Sequence, residues 1–183
     1  MSRRYVVLSG LPCSGKSTLA RQLAPALQLP VIDKDSILEE LYESKGVGDA
    51  AWRRRLSRES DVLFQAEATA SSGAILVSFW HVPGMPADSG TPTAWLTGLS
   101  DRIVEVHCSC APEIATERFL RRTRHPGHLD GAASYDDILR SLQAIPRGGA
   151  LDLGPPVVVD TSGDLELAPI LGELHFLLKD PII

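Results

Sequence analysis

Gly10-Leu11-Pro12-Cys13-Ser14-Gly15-Lys16-Ser17-Thr18 is the stretch of this chain that decides its fold, because it fits the pattern G-x-x-x-x-G-K-[ST] of a phosphate-binding P-loop. Residues 5–8 before it are typical of a short buried strand, and residues 17–23 begin an amphipathic helix. Glycines let the backbone approach phosphate groups, and the N–H groups at the helix start point toward negative charge. We expect Lys16 to reach the β- and γ-phosphates of a nucleotide and the Ser17 hydroxyl to bind Mg²⁺. All nine residues are therefore predicted to form the nucleotide site.

The bulk composition is that of an ordinary globular protein. Of 183 residues, 44% are hydrophobic and 22% are charged, and the length suits one domain over residues 1–183. The net charge of −5 argues against a general polyanion-binding surface, so no nucleic-acid partner is expected. We find neither an apolar run of membrane-spanning length nor a signal-peptide pattern. With three cysteines that lack metal-site spacing, these features favour a cytoplasmic protein without a membrane partner.

Five short apolar runs alternate with helical patterns along the chain. The runs comprise residues 5–9, 30–34, 74–79, 103–109 and 156–160. Continuous Val, Ile and Leu strands separated by helices indicate a parallel sheet with helices on both faces, so the predicted fold class is α/β. Such sheets bind ligands beyond the carboxyl ends of their strands. Residues 81–92 are too long for a plain connection, and a loop of this kind tends to carry function.

Two carboxylates follow the second apolar run, in Val31-Ile32-Asp33-Lys34-Asp35. Residues two apart in an extended chain face the same side, so we expect Asp33 and Asp35 to project together near the P-loop. One carboxylate near Mg²⁺ and another near an acceptor hydroxyl would suit phosphoryl transfer. The alternative role of Asp35 is a helix N-cap, in competition with a capping box formed by Ser36 and Glu39.

The P-loop, the Asp33-Lys34-Asp35 sequence and an arginine-rich segment after the fourth run together resemble the small P-loop kinases of metabolites and antibiotics. That group includes shikimate kinase, gluconate kinase, adenylylsulfate kinase and chloramphenicol phosphotransferase. The resemblance covers most of the chain in element order, with specific motifs in these three places only. It implies a single P-loop kinase domain whose five parallel strands have the order 2-3-1-4-5, with ATP and Mg²⁺ as cofactors. It also implies a mobile lid at about residues 112–131.

Roles for individual residues follow from the same resemblance. Asp33 would hold Mg²⁺ together with Ser17, and Asp35 would bind the acceptor hydroxyl and act as the base. Lys16 would stabilise charge on the γ-phosphoryl group. Arg118 would lie against the adenine or ribose of ATP.

The lid arginines have two interpretations. On a continuous helix, Arg118 and Arg122 share one face while Arg121 and Arg124 share another. Arg122 is the predicted catalytic arginine, and the choice among Arg121, Arg122 and Arg124 stays open because one sequence does not define the helix phase. The alternative is a solvated charged face that contacts no substrate.

The third strand and the acceptor pocket leave further questions open. Residues 75–81 contain no carboxylate, a feature of shikimate kinase and its relatives but less common in polynucleotide kinases. His81 either faces the site or is structural. Trp52, Trp80 and Trp95 either line a pocket for an apolar or ring-shaped acceptor or belong to the core. The arginines of residues 53–58 are expected to be mostly solvated.

The predicted activity is transfer of the γ-phosphoryl group of ATP to a hydroxyl of a small-molecule alcohol, either a metabolite or an antibiotic. One alternative is a kinase of nucleosides, nucleotides or nucleic-acid ends. The other is a non-catalytic ATP-binding module that switches a partner. The acceptor and the oligomeric state are not defined by the sequence.

Overall fold

The structure is a computed structural model that describes residues 3–100, 102–131, 133–146 and 151–179. Its strands are β1 (Arg4–Gly10), β2 (Val31–Asp33), β3 (Gly73–Val77), β4 (Ile103–Ser109) and β5 (Val157–Asp160). Its helices are α1 (Lys16–Leu27), α2 (Lys34–Lys45), α3 (Ala50–Ala70), α4 (Pro112–Arg121), α5 (Tyr135–Gln143) and α6 (Leu167–Leu177). Short 3₁₀ turns occupy Leu96–Gly98 and Pro126–His128.

The strands form one parallel sheet in the order β2-β3-β1-β4-β5. The predicted α/β class and strand order are therefore confirmed. β1 lies at the centre, where Arg4 pairs with Gly73 of β3 and Gly10 pairs with Cys108 of β4. Because the P-loop follows β1 directly, it leaves from the middle of the carboxyl edge of the sheet.

Successive side chains along each strand point to opposite faces of the sheet, so the hydrophobic core has two parts, one on each face. Val6 and Leu8 of β1 are fully buried and pack with residues of α1 and α6. Tyr5 points to the opposite face, where its hydroxyl donates to Ala68 O of α3 at 2.9 Å. Within the described residues, no helix is both long enough and apolar enough to cross a membrane.

The beginning of α2 differs from the prediction. The helix starts at Lys34, and the Asp33 side chain accepts the backbone N–H of Asp35 at 3.0 Å. Asp33 is therefore the N-cap, and the interpretation of Asp35 as the cap is wrong. Asp35 lies in the first helical turn, not on an extended strand. The physical reason is that a short carboxylate at a strand end readily accepts the backbone N–H two residues later.

The arginine-rich segment also differs from the prediction, because α4 ends at Arg121. Arg122 has extended backbone, with φ −81° and ψ 144°. The pairing of Arg118 with Arg122 and of Arg121 with Arg124 on one helix is therefore wrong. Pro126 prevents a helix from continuing through residue 126, and the extended segment before it allows Arg122 and Arg124 both to donate to Asp130.

A substitution at Gly10 tests the close approach of the P-loop to strand β4. Its φ is +125°, and a Cβ atom there would lie 2.5 Å from the Cys108 carbonyl oxygen. We expect Gly10→Ala to destabilise the fold by about 2 kcal/mol or more. Thermal unfolding should then occur about 4–8 °C lower. Gly172→Ala is the matched control, because nothing lies within 4 Å of a Cβ at that helical position. A Gly10→Ala protein as stable as the wild type would contradict the close approach.

Candidate active site

A cavity of about 930 Å³ lies at the carboxyl edge of the sheet, where parallel sheets bind ligands. Its walls come from the P-loop, the β2–α2 junction, α3, the loop at residues 87–92 and the segment after α4. Predicted site residues that line it are Pro12, Cys13, Gly15, Lys16, Ser17, Thr18, Asp33, Asp35, Arg118 and Arg122. The structure therefore brings the separate sequence motifs to one space.

The P-loop has the backbone that a phosphate cradle needs. Gly15 has φ +95° and precedes α1, whose first turn has no side-chain cap. The first turn of α1 lines the cavity, and its N–H groups have no intrahelical partner, as in anion sites at helix N-termini. Cys13 adopts φ +62° and packs beside Ala115, and burial raises the pKa of its thiol although the nearby Arg122 charge opposes this.

Lys16 is buried at the base of the loop. Its Nζ donates to the carbonyl oxygens of Gly10 at 3.0 Å and Leu11 at 2.7 Å. Burial lowers the pKa of this ammonium group, and the carboxylates of Asp35 and Asp33 partly offset the effect. An ammonium group held beside the loop backbone is suited to contact phosphate oxygens.

Ser17 and Asp33 join the P-loop to β2. The Ser17 hydroxyl donates to Asp33 Oδ2 at 2.7 Å, while Asp33 Oδ1 caps α2. Burial raises the pKa of the Asp33 carboxyl. These adjacent hydroxyl and carboxylate oxygens fit Mg²⁺, which takes few protein ligands in kinases and completes its shell with phosphates and water. No group of three or more His, Cys, Asp or Glu suited to a metal occurs in the described part of the chain.

The Asp35 carboxylate faces the cavity and forms an ion pair with Arg124. Arg124 also donates to Asp130 at 3.1 Å, and Arg122 donates to Asp130 at 3.3 Å. Because the segment is extended, these two arginines lie on the same side of it. Arg121 is exposed and pairs instead with Glu117, so it is not a member of the cavity wall.

Arg118 reaches the loop that follows β5. One of its terminal nitrogens donates to Thr161 O at 2.7 Å and Ser162 O at 3.1 Å. A Cβ at Gly15 would lie 3.8 Å from the other terminal nitrogen, so Arg118 spans from the P-loop to this neighbouring loop. The position agrees with the predicted contact with a nucleotide base or ribose, which stays a prediction.

Arg54 and Arg58 of α3 are exposed, as the sequence analysis expected, and Arg53 is half-buried, and all three line the cavity. Arg53, Arg54 and Arg58 face the same space as Ser57 and Asp61. The signal that predicts them is their spacing, because residues at i, i+1, i+4, i+5 and i+8 share one helix face.

The tryptophans do not form the wall of this cavity within the described residues. Trp80 is buried and donates to Leu8 O at 2.8 Å, and Trp95 donates to Pro92 O at 2.8 Å. Trp52 lies in a separate surface depression. His81 contacts Ser89 O through Nδ1 at 2.8 Å, which gives it a structural role in the loop.

Comparison with known proteins agrees with this geometry. The sequence profile of the AAA_33 family, described as an AAA domain, matches residues 6–144. The protein therefore belongs to this AAA-domain family and, with the relatives that follow, to the small P-loop kinases.

Two enzymes are similar in sequence over part of their length. A shikimate kinase from Corynebacterium glutamicum is 38% identical over 71 residues, which is 38% of this chain and 42% of that enzyme. A cytidylate kinase from Pyrobaculum islandicum is 32% identical over 57 residues, which is 31% of each chain. The chain thus aligns with less than half the length of either relative.

A solved structure shows similarity over the whole fold. A candidate kinase from Chloroflexus aurantiacus superposes with a TM-score of 0.78, covering 98% of this chain and 100% of that one. Its sequence identity is 24%, so this likeness supports the fold alone.

A substitution of Arg118 tests its predicted contact with the nucleotide. We expect Arg118→Ala to weaken ATP binding about 10-fold or more, because loss of its charged hydrogen bonds frees the loop at Thr161 and Ser162. Isothermal titration calorimetry measures the change. The control is Arg121→Ala, whose partner Glu117 lies outside the cavity. Equal affinities of the two variants would contradict the assignment of Arg118.

Proposed function

We propose that the protein transfers the γ-phosphoryl group of ATP to a hydroxyl of a small, negatively charged alcohol. One observation carries this proposal: the Ser17–Asp33 hydrogen bond and the Asp35 carboxylate face a single cavity. A nucleotide site and a carboxylate suited to an acceptor hydroxyl then share one space. Direct transfer between two bound substrates requires that proximity.

The nucleotide is proposed to lie with its β- and γ-phosphates on the P-loop. Lys16 would contact these phosphates, and Ser17 and Asp33 would hold Mg²⁺ directly or through water. When bound, Mg²⁺ neutralises charge on the phosphate oxygens. The position of Arg118 beside the loop at Thr161 supports its role next to the base or ribose.

Phosphoryl transfer needs an oriented hydroxyl and positively charged groups in contact with the oxygens of the transferred group. Asp35 is proposed to accept the hydroxyl proton while the acceptor oxygen bonds to the γ-phosphorus and the bond to the departing ADP oxygen breaks. Arg124 holds Asp35 at the cavity wall. Arg122, whose charge acts on the P-loop residue Cys13, is proposed to contact the transferring phosphoryl group.

The α3 arginines support a negatively charged acceptor. Within the described residues, Arg53, Arg54 and Arg58 form no ion pair with a carboxylate, whereas Asp61 on the same wall is paired with Lys34. The Nε group of Arg53 is buried and has no hydrogen-bond partner in the described chain. Unpaired guanidinium groups beside a ligand cavity favour a carboxylate or phosphate substituent on the acceptor.

A nucleotide acceptor is the second candidate. The sequence similarity to a cytidylate kinase favours it, because a nucleoside monophosphate also carries a phosphate that the α3 arginines could bind. A screen that couples ADP release to hydroxy acids, sugar phosphates and nucleoside monophosphates separates the two candidates. A Lys16→Ala protein in the same screen identifies background hydrolysis. If ATP binds tightly and none of these acceptors stimulates ADP release, a non-catalytic ATP-binding module is favoured instead.

Asp35→Asn tests the proposed base. Asparagine removes the charge and the proton acceptor, while the N-cap of α2 is retained because Asp33 supplies it. We expect turnover with the acceptor to fall ~10²–10⁴-fold, the usual contribution of a positioned base. ATP affinity and thermal unfolding should change little. Glu117→Gln is the control, since it disrupts a carboxylate–arginine pair outside the cavity. Full acceptor phosphorylation by Asp35→Asn would reject the base assignment.

Arg54→Ala tests the negative charge of the acceptor. Loss of one charged contact should raise KM for the acceptor about 10–100-fold and leave KM for ATP unchanged. Arg55→Ala is a neighbouring control, because Arg55 stacks on Trp52 with 4.1 Å from its guanidinium carbon to the ring centre. An equal effect of both variants on acceptor KM would show that Arg54 does not bind the acceptor.

A further inference from the structure

The chain from Arg122 to Asp130, here called the arginine segment, is attached to α2 around one aromatic ring. Tyr42 is buried, with His125 stacked on its ring at 5.2 Å between centroids and His128 edge-on at 5.5 Å. Gly127 lies against the same ring, and a Cβ there would come within 2.4 Å of a Tyr42 ring carbon. The absence of a side chain at residue 127 is what allows this contact.

Hydrogen bonds fasten the segment on both sides of that ring. His125 Nε2 contacts Glu43 Oε1 at 2.9 Å, and His128 Nε2 contacts Glu39 Oε1 at 2.8 Å. Glu39 and Glu43 are one turn apart on α2, so they face the same direction. We call Tyr42, His125 and His128 with these two glutamates the histidine clasp.

Arg124 lies immediately before the clasped residues and contacts Asp35, seven residues before Tyr42 on the same helix. The contact between Arg124 and Asp35 thus depends on how the arginine segment is docked on α2. We propose that the histidine clasp positions Arg124 against Asp35 for catalysis and that acid releases it. This inference rests on the proposed phosphoryl transfer for its catalytic part, whereas the docking itself is independent of any activity.

His128 makes the clasp sensitive to protonation. A carboxylate only accepts hydrogen bonds, so the His128 Nε2 atom carries the proton toward Glu39. The other ring nitrogen, Nδ1, is buried and has no hydrogen-bond partner among the described residues. A second proton at Nδ1 would place a positive charge in a buried position, and such a charge is costly without an acceptor.

Charged groups from both sides of the contact face this histidine. Burial and the Arg124 charge lower the pKa of His128, while Glu39 and Asp35 of α2 oppose that shift. His125, on the other side of the ring, faces Glu43. A His128 released from the clasp regains an ordinary pKa near 6.5. The released state therefore binds the proton more tightly, so the clasp is most stable above about pH 6.5 and weakens as the pH falls below it.

Hydrogen exchange tests the clasp without relying on activity. The amides of His128 and Leu129 donate to backbone carbonyls within the clasped turn, and amides of α1 serve as an internal reference. Between pH 7.5 and 5.5, we expect the protection factors of these two amides to fall about 3- to 10-fold relative to that reference. His128→Gln should abolish the pH dependence, since glutamine still donates to Glu39 but does not titrate. His81→Gln is the control and should behave as the wild type.

Variants of the ring separate positioning from simple stability. Tyr42→Phe keeps the stacking and should retain protection, whereas Tyr42→Ala should lose it and lower kcat at least about 10-fold with ATP affinity unchanged. If Tyr42→Ala does not fold, Gly127→Ala provides the same release, because its added methyl group displaces the Tyr42 ring.

Two results would overturn the release of the clasp by acid. One is protection that does not depend on pH in the wild type, and the other is protection that depends on pH as strongly in His128→Gln as in the wild type. Normal kcat after loss of protection would overturn the positioning role. If the wild type phosphorylates no acceptor, the proposed function fails while the exchange results still decide whether the clasp exists.

Discussion

The geometry of the site depends on the two hydrogen bonds that the Asp33 carboxylate accepts. One oxygen accepts the Ser17 hydroxyl and the other accepts the Asp35 amide, so one side chain joins the P-loop, the end of β2 and the start of α2. The direction of α2, and with it the positions of Asp35 and Tyr42, follows from that junction. Burial raises the pKa of Asp33, and a divalent cation bound there would favour its ionised form. A cation bound at this position would therefore be linked to the orientation of α2 through one side chain.

Charge is distributed unevenly between the whole chain and the cavity. The protein has a net charge of −5, yet cationic side chains from the P-loop, α3, α4 and the arginine segment converge on one space. Among the carboxylates of the same wall, Asp35 and Asp130 hold arginines and Asp61 holds Lys34. This local arrangement suits phosphate groups and an anionic acceptor, whereas the overall charge disfavours non-specific polyanion binding.

Local patterns led us to expect the P-loop and the two carboxylates after β2 close together, and these residues do line one cavity. The P-loop depends on glycine conformation and a strand–turn–helix order, both of which are encoded within about twenty consecutive residues. Asp33 and Asp35 were expected near the loop and do line the cavity, although Asp35 reaches it from a helical turn. The predicted pairing of the arginines was wrong because it extended the helix past Arg121, whereas Arg122 is extended and both Arg122 and Arg124 contact Asp130.

The sequence by itself determined the α/β class, the P-loop and the carboxylates at the end of β2, because residues close in the chain specify each of them. Only the tertiary structure decided which residues from other elements complete the wall of the cavity. The α3 arginines face the cavity, and the tryptophans do not, because of how α3 packs on the sheet. Likewise, Tyr42 and His125 meet across more than eighty residues of chain. No local periodicity specifies such pairs, since their contact depends on packing that forms only when distant elements assemble.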